Sequence, residues 1–164
     1  MILQKNLNNK AGHKLKNDPF LELQLLLHPC LLICFSCMAF NDHYFKYHGP
    51  DWLTGKLSDF LGLFLAPIYI LVFLRFIGAF VGEAFARLQI GWMFLVYFLT
   101  GVLFTLIQVS VEMSDSYAYI LTWLGFPSVN TPDPWDLVAL VSLPVSFYFL
   151  FYQWVREDLL YKKP

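Results

Sequence analysis

The sequence predicts an all-α integral membrane protein built as a bundle of four transmembrane helices. Four stretches contain no charged residue, and each is long enough, or nearly long enough, to cross a bilayer: Leu23–Asn41, Phe60–Leu74, Ile90–Val111 and Leu137–Val155. A spanning helix needs about 20 mostly apolar residues. Of the 164 residues, 58% are hydrophobic and only 14% are charged, a balance too apolar for a soluble domain of this size.

The first stretch follows a basic N-terminal segment, and the last ends shortly before the C-terminus. We therefore predict a cytoplasmic tail over residues 1–21, a four-helix membrane domain over residues 22–156 and a short cytoplasmic tail over residues 157–164. The second stretch reaches full length only by including Leu57 to Asp59 or by running past Arg75. Thr54 or Ser58 is the expected N-cap of this helix. Residues 76–88 then form either a cytoplasmic extension of it or an interfacial helix.

After the third stretch, Ser114 or Asp115 is expected to cap a short helix that ends at Gly125. Its aromatic residues, Tyr117 among them, form either an interfacial belt or a docking surface for a partner. At the fourth stretch, Asp133 is the expected N-cap, Pro134 the first helical residue and Asp136 the third.

Two segments resemble each other. Asp59-Phe-Leu-Gly-Leu-Phe-Leu-Ala-Pro67 and Asp136-Leu-Val-Ala-Leu-Val-Ser-Leu-Pro144 each place a proline eight residues after an acid. Both open a helix that runs inward, so the chain is interpreted as two repeated helical hairpins related by an axis along the membrane normal. The alternative is that an acid, an apolar run and a proline recur by chance in an apolar protein.

Basic residues indicate the orientation. The side predicted to be cytoplasmic carries Lys5, Lys10, Lys14, Lys16, Arg75, Arg87, Arg156, Lys162 and Lys163. The other side carries only Lys46 and Lys56. The positive-inside rule therefore places both termini in the cytoplasm and predicts a multi-pass protein of the inner membrane. The net charge of −1 argues against a nucleic-acid partner.

Cofactor and metal motifs receive no support from the residue spacing. Cys30, Cys34 and Cys37 share one face of a predicted membrane helix, where their thiols do not converge on an iron–sulfur cluster, so we interpret them as small packing residues. His28 is the single histidine inside a predicted span, which excludes a haem held by two histidines within the bundle. We therefore predict no cofactor and no metal.

Polar residues cluster at the predicted outer ends of all four helices, and five of them are candidate binding residues: His43, Lys56, Asp59, Glu112 and Asp136. Gln108 and Glu112 are four apart and are expected to share a helix face. One hypothesis is an outward-facing pocket in which Lys56 binds an anion and an acid acts as base or binds a cation. The other is helix capping and interfacial solvation. No catalytic residue is predicted.

Asn41-Asp42-His43, the run from Trp52 to Phe60, and Asp133-Pro134-Trp135-Asp136-Leu137 together resemble a group of uncharacterised bacterial inner-membrane proteins. More distantly, a Lys and an Asp opening the second helix and an Asp opening the fourth are similar to the VanZ-like family. That resemblance implies a link to glycopeptide resistance. VanZ-like proteins have an Asp-Lys order and a following His-Phe, whereas here Lys56 precedes Asp59 and no histidine follows.

Function follows from these observations as an expectation. Small size, little mass outside the membrane and the lack of a catalytic motif favour an accessory, assembly or structural subunit that interacts with membrane lipids and other membrane protein subunits. The alternative is a VanZ-like envelope protein or enzyme whose outward-facing polar site acts on a lipid or an anionic headgroup.

Overall fold

The computed structural model describes residues 24–81, 90–125 and 131–161, and within these ranges the chain is helical with no strand. Helix α1 spans Pro29–Phe40, a π-helical turn spans Asn41–Phe45, and the one-turn helix α2 spans Lys46–His48. Helix α3 spans Asp51–Val81, α4 spans Ile90–Val109 and α5 spans Val111–Trp123. A 3-10 helix over Pro134–Val141 leads directly into α6 over Ser142–Tyr161.

Three helical segments are long and apolar enough to cross a membrane: Trp52–Gly78, Gly91–Val109 and Pro134–Gln153. They match the second, third and fourth predicted stretches. The first stretch yields an α-helix of only 12 residues, because the backbone widens into a π-turn at Asn41. The predicted N-terminal tail lies outside the described residues, as do residues 82–88 of the segment predicted to be a helix extension or an interfacial helix.

Helix α3 is the central element. Its 31 residues rise about 46 Å at about 1.5 Å per residue, well beyond the roughly 30 Å of a hydrocarbon core. It contacts α1, α4, α6 and the 3-10 helix. The buried core forms around Leu65, Ile68 and Leu71 of α3, which pack in one cluster with Leu31 of α1, Met93 of α4 and Leu150 of α6.

Helix ends differ from expectation at two places. Helix α3 begins at Asp51, so Thr54 and Ser58 lie inside it and neither is its N-cap. The cap of α5 is Ser110, not Ser114 or Asp115, and its hydroxyl accepts a hydrogen bond from Met113 N at 3.3 Å. Helix α3 includes Leu57 to Asp59 and also continues past Arg75, so both of the expected extensions are present.

The start of the fourth segment and the end of α5 follow expectation. The Asp133 carboxylate accepts a hydrogen bond from Trp135 N at 2.9 Å, and Pro134 is the first helical residue. The first eight residues are, however, a 3-10 helix rather than an α-helix. Gly125 follows α5 with φ of 90°, the left-handed conformation that glycine adopts without steric cost at a helix end.

Candidate functional site

The π-turn after α1 places two polar side chains against the first part of α3. Asn41 is only 1% exposed, and its amide nitrogen donates to Thr54 O at 2.8 Å and to Ser58 Oγ at 2.9 Å. Its other amide atom, Oδ1, is buried and accepts no hydrogen bond from the described residues. Since a buried amide costs free energy unless it is bonded, these contacts fix how the end of α1 meets α3.

Asp42 forms a second link to the same part of α3. Ser58 Oγ donates to Asp42 Oδ1 at 2.6 Å, and Lys46 Nζ lies 2.9 Å from the same oxygen. Partial burial acts to raise the pKa of Asp42, but the hydrogen bonds from Ser58 and Lys46 outweigh it, and the pKa is lowered. Asp42 therefore carries its negative charge at neutral pH.

Lys56 and Asp136 join α3 to the 3-10 helix across 80 residues of sequence. Lys56 Nζ donates to Asp136 Oδ1 at 2.6 Å, and the two side chains are 29% and 16% exposed. A contact this short between a charged donor and a charged acceptor is a charge-assisted hydrogen bond, roughly twice as strong as one between neutral groups. It holds the start of the 3-10 helix against the first two turns of α3.

Asp59 lies one helical turn further along α3 and meets residues from two other segments. The negative charge of Asp136 acts on its carboxyl group. Gln108 Nε2, near the end of α4, donates to Asp59 Oδ2 across a long 3.5 Å, while Gln108 Oε1 accepts from Asp133 N at 3.3 Å. Gln108 is 3% exposed, so it is a buried bridge between α3 and the start of the 3-10 helix.

We call this set the polar end cluster, and it consists of Asn41, Asp42, Lys46, Lys56, Ser58, Asp59, Gln108, Asp133 and Asp136. It contains four carboxyl groups and two ammonium groups, so acidic groups are in excess. Its members lie near the starts of Trp52–Gly78 and Pro134–Gln153 and near the end of Gly91–Val109. All three candidate spans therefore present their polar ends at the same side of the molecule.

Of the five predicted binding residues, the structure brings Lys56, Asp59 and Asp136 together. Glu112 does not join them through α4, because that helix ends at Val109 and Ser110 is extended, with φ of −122° and ψ of 122°. Gln108 and Glu112 consequently do not share a helix face. Glu112 is exposed in the first turn of α5, and His43 is exposed on the π-turn.

Tyr117 of α5 comes close to this cluster, which its aromatic sequence context did not indicate. Burial and, after it, the nearby Asp59 carboxylate raise the pKa of Tyr117. The break at Ser110 is responsible, because it turns α5 away from the axis of α4. Serine is a favoured N-cap residue and so a usable signal for such a break, but Ser110 competes with the other serines in the chain.

Within the described part of the chain, no group of three or more His, Cys, Asp or Glu residues is arranged to hold a metal ion. The Ser58 hydroxyl of the polar end cluster donates to Asp42 and accepts from Asn41. The charged groups of the cluster bond mainly to one another, to this hydroxyl and to backbone atoms, an arrangement that connects helices and leaves Asp59 with the longest hydrogen bond.

Comparison with protein-family models gives no match, and neither does comparison with curated proteins or with solved structures.

Proposed function

We propose that this chain is a four-crossing protein of a bacterial inner membrane, with both termini in the cytoplasm, that works as an accessory, assembly or structural subunit. In this proposal, the stretch Leu23–Asn41 supplies the fourth crossing, and α1 is its central part. Helix α1 supports this, because its Leu31 packs into the same buried cluster as residues of the three candidate spans. The paired hairpins are part of the same proposal.

The observation that carries the proposal is how little of each candidate span is buried within the chain. Within an 18-residue apolar stretch of Trp52–Gly78, only 33% is buried inside the chain. The corresponding share is 22% in each of the other two candidate spans. Large apolar side chains remain outward, among them Phe98 at 68% exposed and Tyr148 at 69%. Such surfaces are available to lipid tails and to the helices of other membrane proteins.

The polar end cluster also supports a structural role, because its charged groups connect separate segments of the chain. Lys56, Asp136 and Asp42 each bond to a group from another segment of the chain. Paired groups of this kind fix the arrangement of helices at one end without requiring a substrate. The apolar faces that they position are then the working surfaces of the protein.

The test is purification from the native membrane in mild detergent, followed by native mass spectrometry and site-specific photo-crosslinking. A photoreactive residue at Phe98 or at Tyr148 is expected to crosslink to the same partner protein that is found at fixed stoichiometry. The matched control is Leu71, which is fully buried and is expected to give no crosslink to a partner. A lone protomer without crosslinks at Phe98 and Tyr148 would overturn the accessory-subunit proposal.

One observation favours a second function, a VanZ-like envelope protein or enzyme with an outward-facing polar site that acts on a lipid or headgroup. Lys56, Asp59 and Asp136 come from two separate spans and meet at one end of the molecule. Converging ionisable groups at the end of membrane helices often mark function. This alternative predicts that Asp59→Asn abolishes activity on an envelope lipid while the protein remains folded.

A further inference from the structure

The 3-10 helix Pro134–Val141 is long for its type. It has eight residues, whereas runs longer than about four are uncommon because the hydrogen-bond geometry is poorer than that of an α-helix. It opens the candidate span Pro134–Gln153 and leads directly into α6. A 3-10 stretch within a longer helix often marks a hinge. The α-helix is therefore the natural alternative conformation of this segment.

Exposure along this segment repeats every three residues. Three residues form an exposed outer column: Trp135 at 81%, Val138 at 56% and Val141 at 57%. Three others form an inner column with little exposure: Asp136, Ala139 and Ser142. Side chains three apart lie in line in a 3-10 helix, which has about three residues per turn. They drift apart in an α-helix, which has about 3.6. The burial pattern thus fits the 3-10 form.

Conversion of this segment to an α-helix would separate Asp136 from Lys56. The rise per residue would fall from about 2.0 to about 1.5 Å, and the rotation per residue from about 120° to about 100°. Asp136 precedes Ser142 by six residues. With α6 fixed, Asp136 would move about 3 Å along the helix axis and turn about 120° around it. The 2.6 Å contact between Lys56 Nζ and Asp136 Oδ1 would then be lost.

The two ends of the segment are held differently. Beyond its C-terminal end, Ser146 Oγ of α6 donates to the backbone of α3 at 2.6 Å, and this contact does not depend on the helix type of the preceding segment. At its N-terminal end, Lys56 and Asp136 form a charge-assisted hydrogen bond. The bond from Asp133 N to Gln108 Oε1 is longer, at 3.3 Å, and joins neutral groups. The ion pair is therefore the stronger of these two contacts.

We propose that the Lys56–Asp136 pair holds the segment Pro134–Val141 in the 3-10 form, and that loss of the pair converts the segment to an α-helix. With α6 fixed, Trp135 then turns by about 140° and Val138 by about 80°, so both leave the outer column. The ion pair of the polar end cluster is thereby coupled to the apolar face that this span presents. The inference goes beyond the accessory-subunit role and does not depend on a partner.

The test is a nitroxide scan of the full chain in a lipid bilayer. Cys30, Cys34 and Cys37 are replaced by alanine, and each variant carries one spin-labelled cysteine between positions 135 and 152. Asp136 and Ser146 are left in place so that their contacts remain. The accessibility of each nitroxide to molecular oxygen is then measured.

In the parent chain, accessibility is expected to repeat every three residues over 135–141 and about every 3.6 residues over 145–152 of α6. In Lys56→Met, the period of about 3.6 is expected to extend through 135–141, and the nitroxide at position 135 to lose most of its accessibility. A period of about 3.6 over 135–141 in the parent, or an unchanged period of three in Lys56→Met, would overturn the proposal.

Two further variants control for charge and for folding. Lys56→Arg keeps the positive charge and is expected to keep the period of three; conversion in this variant as well would count against the ion pair. The pattern over 145–152 reports whether α6 is intact, because an unfolded chain loses it. If Lys56→Met loses that pattern, Asp136→Asn makes the same comparison from the other side of the pair, with the same expected change of period.

Discussion

The two similar segments, residues 59–67 and 136–144, adopt different local structures. The first lies inside the long α-helix α3, with Pro67 buried in its middle. The second begins as a 3-10 helix, and its Pro144 is exposed just after the junction with α6. An acid followed eight residues later by a proline therefore does not determine the helix type. The position of the segment relative to the start of its helix does.

The residues that precede the two acids differ in the same way. Ser58 precedes Asp59 inside α3 and bonds to Asp42 of the π-turn. Trp135 precedes Asp136 and is 81% exposed. Among the described contacts, the residue directly before the acid thus adds a side-chain hydrogen bond to another segment only in the first case. The two acids nevertheless reach the same cluster, so the resemblance between the segments extends to where their acids meet but not to their backbone conformation.

The buried proline of the first segment lies next to a hydrogen bond from α6. Pro67 has no amide hydrogen to donate to Leu63 O, and its ring crowds the preceding turn. The neighbouring carbonyl, Phe64 O, accepts a hydrogen bond from Ser146 Oγ of α6 at 2.6 Å. A serine of an adjacent helix thus bonds to the backbone of the turn that precedes the proline. Ser146 also bonds to Tyr97 OH at 2.8 Å, so it connects three helices.

The largest expected effect is therefore that of Ser146→Ala. The substitution removes both contacts of a fully buried hydroxyl and should lower the free energy of unfolding by about 1–2 kcal/mol. Ser142→Ala is the matched control, because Ser142 is also buried on α6 but bonds only to Ala139 O of its own helical segment. Reversible unfolding in mixed micelles measures both variants, and equal losses would show that the inter-helix bond contributes nothing.

A smaller effect with different outcomes in the two segments is expected when each acid is replaced. Asp136→Asn removes the charged partner of Lys56 and should lower the unfolding midpoint, by less than Ser146→Ala does. Asp59→Asn should leave the midpoint unchanged or raise it, because the new amide donates to Asp136 where two carboxyl groups repelled each other.

Thermal unfolding of the two asparagine variants in the same detergent makes this comparison. A matched loss in both would mean that Asp59 and Asp136 contribute alike, and the functional contrast between the two segments would disappear. Lys56→Met adds a check, since it should reproduce the loss in Asp136→Asn and add little when the two are combined.

Much of the fold follows from apolar length alone. The predicted stretches lie largely within helical segments that the structure shows, because an uninterrupted apolar run in a membrane has no stable alternative conformation: Phe60–Leu74, Ile90–Val111 and Leu137–Val155. Helix ends were less predictable. Ser110 interrupts the helix inside an uncharged run, and the π-turn at Asn41 shortens the first α-helix. Both helix ends depend on competition between local hydrogen bonds, which the apolar pattern of the sequence does not report.

Part of the candidate site was predictable for the same reason. Lys56, Asp59 and Asp136 each lie near the end of a span on the same side of the predicted topology, which limits how far apart they are. The contacts of Asn41 with Thr54 O, and of Ser146 with Phe64 O, were not predictable. They depend on how each helix is rotated about its axis, and residues 60–74 of α3 and 142–155 of α6 carry no charged residue, so their sequences do not specify that rotation.

The smallest expected effect concerns Asp42, which supports only the first segment. Because the pKa of Asp42 is lowered in the folded protein, its charged form stabilises the fold at pH values above its ordinary pKa, and this contribution is lost as the pH falls through the folded pKa. Asp42→Asn should remove that part of the acid sensitivity and leave stability at neutral pH only slightly reduced, since the side chain is 39% exposed.

Unfolding midpoints of Asp42→Asn and of the parent chain across the acidic range measure this contribution. Asp115→Asn is the control, because Asp115 is exposed on α5. The difference between Asp42→Asn and the parent should shrink as the pH falls, since protonation removes from the parent what the substitution removes from the variant. A difference that stays constant with pH would mean that the Ser58–Asp42 contact does not depend on charge. The additional support of the first segment would then come from the Asn41 amide alone.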